Sequence, residues 1–261
     1  MVSLPHRVSI GHSDGMAATR PIFLFTDFGP SPYVGQMKAV LLRDAPDAKV
    51  IDLFDDAPAH DPQSSAYLLA AYGPEMPEGS TILAVVDPGV GGARGAIAVE
   101  ADRRWYVGPD NGLLAIVARR AEAARAYDIQ WRPERLSASF HGRDLFAPVA
   151  ARLAKGEPPP GPELKLAKLV GHDWAEDLAR IIYIDRFGNA MTGLRVEILP
   201  KAARLMVGTA TLVRARTFSD LPEGASFWYE NANGLAEIAV NQARADEVLG
   251  LAVGTEVEIA S

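Results

Sequence analysis

Pro21-Ile22-Phe23-Leu24-Phe25-Thr26-Asp27-Phe28-Gly29-Pro30 is the stretch that decides the fold class of this chain. Its uncharged first half is too short for a helix and too continuous for a strand with one wet face. It reads as a strand buried on both sides that opens at Asp27 into a loop. Residues 34–44 follow as a helix, with Met37, Val40 and Leu41 at helical spacing and Asp44-Ala45-Pro46 as the stop. Residues 49–54 make a second strand, 63–72 a second helix and 81–86 a third strand. Strand, helix, strand, helix, strand predicts an α/β domain with a mainly parallel, Rossmann-like central sheet covered on both faces.

Further along, residues 95–100 and 105–107 read as strands, Gly108-Pro109-Asp110-Asn111-Gly112 as a break, and residues 113–124 and 144–155 as helices. Glu157-Pro158-Pro159-Pro160-Gly161-Pro162 is the strongest interruption, since consecutive prolines lack amide hydrogens and favour extended, solvated backbone. Beyond it come short runs at 181–184, 190–194, 204–207, 210–213, 226–229, 236–240 and 256–259, with one helix at 243–249. That texture suggests a small β-barrel or sandwich. The expected organisation is a tail over residues 1–20, disordered or an expression remnant, an α/β domain over 21–156, a linker over 157–177 and a β-barrel domain over 178–261.

With 261 residues, 48% of them hydrophobic, the chain can bury a sizeable core. Its net charge of -7 and the lack of a basic stripe argue against nucleic acid as a partner. No stretch reaches the roughly eighteen consecutive apolar residues of a membrane span, and none has the pattern of a signal peptide. The expectation is a cytoplasmic protein with no membrane partner. Without cysteine there are neither disulfides nor thiolate ligands, which fits a reducing compartment.

Several residues could carry chemistry. Asp27 and Asp87 both end strands, where open α/β sheets bind ligands. A carboxylate at either place could hold ribose hydroxyls, or it could cap a helix or tighten a turn. The run Asp87-Pro88-Gly89-Val90-Gly91-Gly92-Ala93-Arg94 lacks the Lys-Ser/Thr of a P-loop and the order of a dinucleotide fingerprint, so its glycines instead allow close backbone approach and bring Arg94 back toward Asp87. Arg94 read alone would be a solvated loop cation. His141, in Ser139-Phe140-His141-Gly142-Arg143-Asp144, precedes a helix and is either a core or surface imidazole or a base, while Arg143-Asp144 would cap that helix. His6, His12, His60 and His172 are scattered, with no metal-ligand spacing, so no metal is expected. Asp185-Arg186-Phe187-Gly188-Asn189 could bind an ammonium, stack on a base and read its edge, or form a plain turn. Asn231-Ala232-Asn233-Gly234 is first a hairpin turn and second a ligand loop.

Taken in order, these segments resemble the S-adenosylmethionine hydroxide adenosyltransferase family, hydrolytic relatives of fluorinases and chlorinases. The resemblance is carried by Thr26-Asp27-Phe28-Gly29, Tyr33-Val34-Gly35-Gln36-Met37-Lys38, residues 85–91 with Arg94, Pro109-Asp110-Asn111-Gly112, Phe140-His141-Gly142-Arg143-Asp144 with Phe146-Ala147-Pro148, Tyr183-Ile184-Asp185 with Phe187-Gly188-Asn189, and Glu237-Ile238-Ala239-Val240-Asn241. It implies an N-terminal α/β domain, a C-terminal β-barrel, and a homotrimer with active sites between the N-domain of one subunit and the C-domain of the next. It also implies hydrolysis of S-adenosylmethionine, as substrate and with no cofactor, to adenosine and methionine. The catalytic triad would be Asp87, Arg94 and His141, with Asp27 on the ribose, Asp185 on the methionine ammonium, and Phe187 and Asn189 on adenine. Tyr33, His60, Phe218 and Asn233 complete the implied substrate-binding set.

Two positions depart from the family pattern. Asp55 stands where relatives often carry His, and Ala232 where halogenating relatives place Ser. The Asp-Pro-Gly-Val-Gly run follows the hydrolytic branch, not the Tyr- and Thr-containing loop of the halogenases, which favours water over halide. The competing readings are a non-catalytic S-adenosylmethionine or adenosine sensor, which could dispense with the triad, and a halogenase. A Rossmann dehydrogenase would need the glycine fingerprint that is missing here.

Overall fold

The computed structural model describes residues 20–260, so the segment read as a tail lies outside the described residues except for Arg20. The first domain opens with β1 (Ile22–Thr26), α1 (Pro32–Asp44), β2 (Val50–Phe54), α2 (Pro62–Tyr72) and β3 (Thr81–Val85). Every residue of β1 is buried. Because side chains alternate along a strand, Phe23 and Phe25 enter the core formed with α2, while Ile22 and Leu24 enter the core formed with α1. The β1 strand pairs in parallel with both neighbours, Ile22 lying opposite Val50 and Thr81. As parallel neighbours, β1 and β3 deliver Asp27 and Asp87 to the same edge of the sheet.

Helix α1 buries Val34, Met37 and Leu41 at helical spacing and begins on Pro32, whose missing amide hydrogen is harmless in a first turn. At α2, Oδ1 of Asp61 accepts the Ser64 N–H at 2.9 Å and caps the helix. The run from Ser64 to Ala70 is buried all round. One side of α2 lies on the sheet, and the other meets the second domain, whose Ile182, Met191 and Leu235 join the same core.

The sheet then departs from expectation. Strands β4 (Gly95–Ala101) and β5 (Arg104–Asp110) form an antiparallel hairpin, with Ala101 opposite Arg104. Asp102 and Arg103 turn the corner at φ 45 and 62, the backbone of a tight two-residue hairpin loop. After α3 (Ala115–Arg120) comes β6 (Ala124–Asp128), antiparallel to β4. Then come α4 (Ala147–Ala154) and a short edge strand, β7 (Glu163–Leu164), antiparallel to β6. The order β2-β1-β3-β5-β4-β6-β7 is parallel in its first half and antiparallel in its second, so the sheet is mixed, not mainly parallel. The physical reason is that β4 reaches β5 through a two-residue turn, which leaves no room for a crossover helix. The helix expected over residues 113–124 is accordingly shorter, and its last part belongs to the turn into β6.

The second domain comprises β8 (Leu178–Ile184), β9 (Ala190–Arg195), β10 (Arg204–Val207), β11 (Ala210–Arg214), β12 (Ser226–Glu230), β13 (Leu235–Val240), α5 (Ala245–Leu249) and β14 (Glu258–Ala260). They form one mixed, curled seven-stranded sheet in the order β14-β10-β11-β12-β13-β9-β8. Only β11 and β12 run parallel. Backbone bonds from Gly254 and Val257 to the carbonyls of Ile181 and Ala179, at 2.8 and 2.9 Å, draw the segment before β14 onto β8 at the opposite edge. The hollow of the curl holds Trp228, Ile238, Leu205 and Leu251. Between the domains, Tyr183 donates to Asp56 at 2.9 Å, and Arg180 bonds Gln63 and Ser64 at 3.1 and 3.2 Å.

Candidate active site

Asp87 lies two residues beyond β3, and the backbone before it is held by Asn111, whose Nδ2 donates to the Val86 carbonyl at 2.9 Å. Asn111 also accepts the Leu113 N–H at 3.2 Å, so the turn after β5 and the loop after β3 are fixed together. The chain from Asp87 to Arg94 folds back on itself through Gly91, at φ 78. A Cβ there would collide with the carbonyl oxygen of Ala138. Glycine at position 91 therefore lets this loop lie against the segment that carries His141.

Arg94 is the link. Its Nε donates to both Asp87 oxygens at 3.0 and 3.1 Å, and its Nη2 makes a further short bond to Oδ2. The same Nη2 lies 2.9 Å from Nδ1 of His141. The Asp87 and Arg94 side chains are only 4% and 12% exposed, so this pair is shielded from solvent. Behind it the guanidinium carbon sits 5.2 Å from the centre of the Phe146 ring.

His141 heads a π-helical turn, Gly142–Phe146, that runs into α4. Such turns recur at functional sites because they re-aim side chains. Gly142 keeps the turn tight, since a Cβ would press on Met37 and Phe140. Asp144 caps nothing in α4. It accepts the Ser137 N–H at 2.9 Å and pairs with Arg143, and Arg143 reaches Gln36 at 2.9 Å. Burial, followed by the positive charge of Arg94, pushes the pKa of His141 below its ordinary value and favours the neutral ring.

These residues border a cavity of about 390 Å³ lined by Asp87, His141, Tyr33, Phe28, Phe140 and Arg143, among others. That volume lies within the range of small-molecule sites. Three aromatic rings form one wall, Tyr33 edge-on to Phe140 at 5.2 Å and Phe28 at 5.9 and 6.1 Å from them. The aromatic wall of Phe28 and Phe140 and the clamp at Asn111 were missed from sequence. Their signal was adjacency, for Phe28 follows Asp27 and Phe140 precedes His141.

Asp27 does not cap α1. Its Oδ2 accepts the His60 N–H at 3.0 Å, and His60 has φ 58, an uncommon conformation for a residue with a side chain. Asp185 shapes its own turn: Oδ1 accepts the N–H groups of Phe187 and Asn189 at 2.8 and 2.9 Å, and Oδ2 the Asn189 amide at 3.1 Å. Phe187, Asn189 and Phe218 line a second cavity of about 570 Å³ on the other domain, with Phe187 69% exposed. The N–H of Asn233 donates to Asn231 within the hairpin turn, and Asn233 lines neither cavity. Within one chain, then, Asp87, His141 and Tyr33 gather at one cavity with Arg94 bonded behind the first two, and Phe187, Asn189 and Phe218 gather at another. Among the described residues no three His, Asp or Glu side chains gather as a set that could hold a metal ion.

The chain matches the model of the SAM hydroxide adenosyltransferase N-terminal domain over residues 22–161 and that of the C-terminal domain over residues 179–258. It is 41% identical over 259 residues to the (R)-S-adenosyl-L-methionine hydrolase of Thermus thermophilus, covering 92% of this chain and 99% of that one. A fluorinase from Nocardia brasiliensis stands further off, at 24% identity with coverage of 92% and 97%. The crystal structure of an uncharacterized conserved protein from Thermotoga maritima superposes with a TM-score of 0.83 at 31% identity, covering 92% of this chain and all of that one.

Proposed function

The chain belongs to the S-adenosylmethionine hydroxide adenosyltransferase family, and we propose that it works as an S-adenosyl-L-methionine hydrolase through the triad Asp87, Arg94 and His141. Water attacks C5′ of the substrate and releases adenosine and L-methionine. The observation that carries this reading is the continuous chain of bonds from Asp87 through Arg94 to His141, with the acid and the imidazole both bordering one cavity.

The chemistry suits what the site supplies. A sulfonium departs as a neutral thioether, so the leaving group requires no proton. The demand falls on the nucleophile, because water is poorly nucleophilic until its proton has somewhere to go. Asp87 and His141 polarise that water, and Arg94 fixes their mutual orientation. Holding the water in line with the C5′–S bond supplies a further share of the acceleration by orientation alone. The Asp27 carboxylate, steadied by His60, is suited to the ribose hydroxyls.

The separation of the two cavities supports a homotrimer. Tyr33 is 51% exposed beside the triad, and Phe187 is 69% exposed on the other domain. Large aromatics left open in one chain are what a site shared between subunits would show. In such a trimer Phe187 and Phe218 of one subunit sandwich the adenine, Asn189 reads its edge, and Asp185 faces the methionine ammonium, all above the neighbour's triad. Asn233 is assigned to the same substrate-facing loop region.

The deciding experiment incubates the purified protein with the (R) and (S) sulfonium epimers of S-adenosyl-L-methionine separately, in isotopically labelled water, and follows products by chromatography and mass spectrometry. The expected result is adenosine carrying the label at its 5′ oxygen, together with methionine. Adenosine no faster than the uncatalysed background for both epimers would refute the reading.

A further inference from the structure

Arg94 meets the imidazole of His141 at a single atom, Nδ1, 2.9 Å from Nη2. A guanidinium carries five N–H donors and no acceptor, and it keeps its charge throughout the pH range of proteins. The lone pair in this bond must therefore belong to Nδ1, which places the proton of the neutral ring on Nε2. Resting on the hydrolase reading above, we infer that His141 acts as an Nε2–H donor that pins the attacking water, and that Asp87, not His141, receives the water's proton.

Three observations support these roles. Nε2 makes no bond to any described residue, while the ring borders the cavity, so the N–H end is the one left for a ligand. The charged groups acting on the ring are Arg94, Asp87, Arg132 and Asp144. Asp144 is already occupied by Arg143 and Ser137, and Arg132 by the carbonyls of Ile129 and Trp131, so neither competes for Nε2. Among the described residues Oδ1 of Asp87 accepts from Nε of Arg94 alone, at 3.0 Å, whereas Oδ2 is taken up by both Nε and Nη2, and Asp87 borders the cavity, so Oδ1 is the oxygen with room for a further proton.

The step balances with these partners alone. One lone pair of the water oxygen forms the C5′–O bond and the other accepts from Nε2–H. The C5′–S electron pair stays on sulfur as a neutral thioether, and one water proton passes to the Asp87 carboxylate and thence to solvent. As the C–O bond forms, the oxygen becomes an alkyloxonium whose proton is far more acidic than that of free water, so transfer can come late.

Long-range nitrogen–proton NMR on the histidine-labelled enzyme without substrate reads the tautomer directly, with the His141 signals assigned by their loss in His141→Gln. The expected spectrum shows Nδ1 as the bare nitrogen and Nε2 as the protonated one at neutral pH. Turnover supplies the second measurement. The amide nitrogen of glutamine reaches the position of Nε2, and that of asparagine only the position of Nδ1. His141→Gln should therefore keep at least about ten-fold more turnover than His141→Asn, within the range that misplacing a reacting group by about an ångström costs. A proton on Nδ1 in the neutral enzyme, or equal losses in the two variants, overturns the assignment. If the wild-type enzyme forms no adenosine, the hydrolase reading falls, and the catalytic roles fall with it. The NMR spectrum still tells that failure apart from a wrong tautomer.

Discussion

The α-carbon of Gly91 faces the carbonyl oxygen of Ala138 at a distance that leaves no space for a side chain, so the loop bearing Asp87 and the loop bearing His141 touch backbone to backbone. This contact holds the loop of the acid against the loop of the imidazole, alongside the Arg94 bonds that join the two side chains. Gly91→Ala would force the two loops apart and also strain a backbone at φ 78. The expected result is a turnover about 10- to 100-fold lower, the scale of an ångström-sized misplacement. Gly208→Ala is the control, for its φ is 56 but open space surrounds it in the turn between β10 and β11. It should lower Tm by roughly 2–4 °C and leave turnover unchanged. Comparing kcat and Tm of the two variants separates loop displacement from plain backbone strain.

Arg94 holds two partners with one planar fork, which lysine cannot copy. An ammonium near Asp87 would keep the charge and lose the simultaneous bonds to both carboxylate oxygens and to Nδ1 of His141. Arg94→Lys should therefore lower kcat about 100- to 1000-fold, with KM within a few-fold of wild type. Arg94→Ala goes further, because it leaves a carboxylate that is 4% exposed without a partner, at a stability cost of about 3–5 kcal/mol. Steady-state kinetics and denaturant titration of both variants check the two effects separately.

In the second domain Glu237 is buried, accepting from Tyr229 at 2.5 Å and from Asn231 at 2.9 Å. Asn231 in turn shapes the hairpin turn by accepting from Asn233 and Leu235. Burial raises the pKa of Glu237, its hydrogen bonds opposing only in part. A raised carboxyl pKa means that the folded state favours the protonated form. The stability it contributes is full below the unfolded value of about 4.3 and is lost as pH rises through the folded pKa. Glu237→Gln keeps the shape and removes the ionisation. Its Tm relative to wild type should rise between acidic and neutral pH, and a difference that stays flat with pH would contradict the burial argument.

The parts of this fold legible in sequence were those governed by local pattern. The five buried residues of β1 and the helical spacing of Met37 and Leu41 state their partners outright, while Val34 takes the buried place that the sequence reading gave to the partly buried Val40. The hairpin of β4 and β5 did not, because Asp102 and Arg103 adopt positive φ without being the Asn-Gly or Gly pair that announces such a turn. Strand β6 was hidden by alanines, whose helix preference is overridden by pairing with β4. The site behaved likewise. Asp87 and Arg94 are seven residues apart and were read as neighbours, but the approach of His141 depends on the Gly91–Ala138 contact, which no local pattern encodes. Family resemblance joined the three residues where residue chemistry alone left them as loop residues.

The distribution of the residues proposed to face substrate over two cavities yields the sharpest test of the proposed trimer. His141→Ala disables the first-domain half of a site and Phe187→Ala impairs the second-domain half. In a ring where each site takes its first domain from one subunit and its second from the next, any trimer containing both variants has one junction at which two undamaged halves meet. Random mixing of the two variants in equal amounts should therefore restore about a quarter of wild-type turnover. A site complete within one chain would regain nothing, because every subunit would carry its own defect. Co-refolding the two variants and measuring adenosine release, with light scattering to count subunits, decides between the two arrangements. Recovery without a trimeric mass would point to a different closed ring built on the same head-to-tail contact.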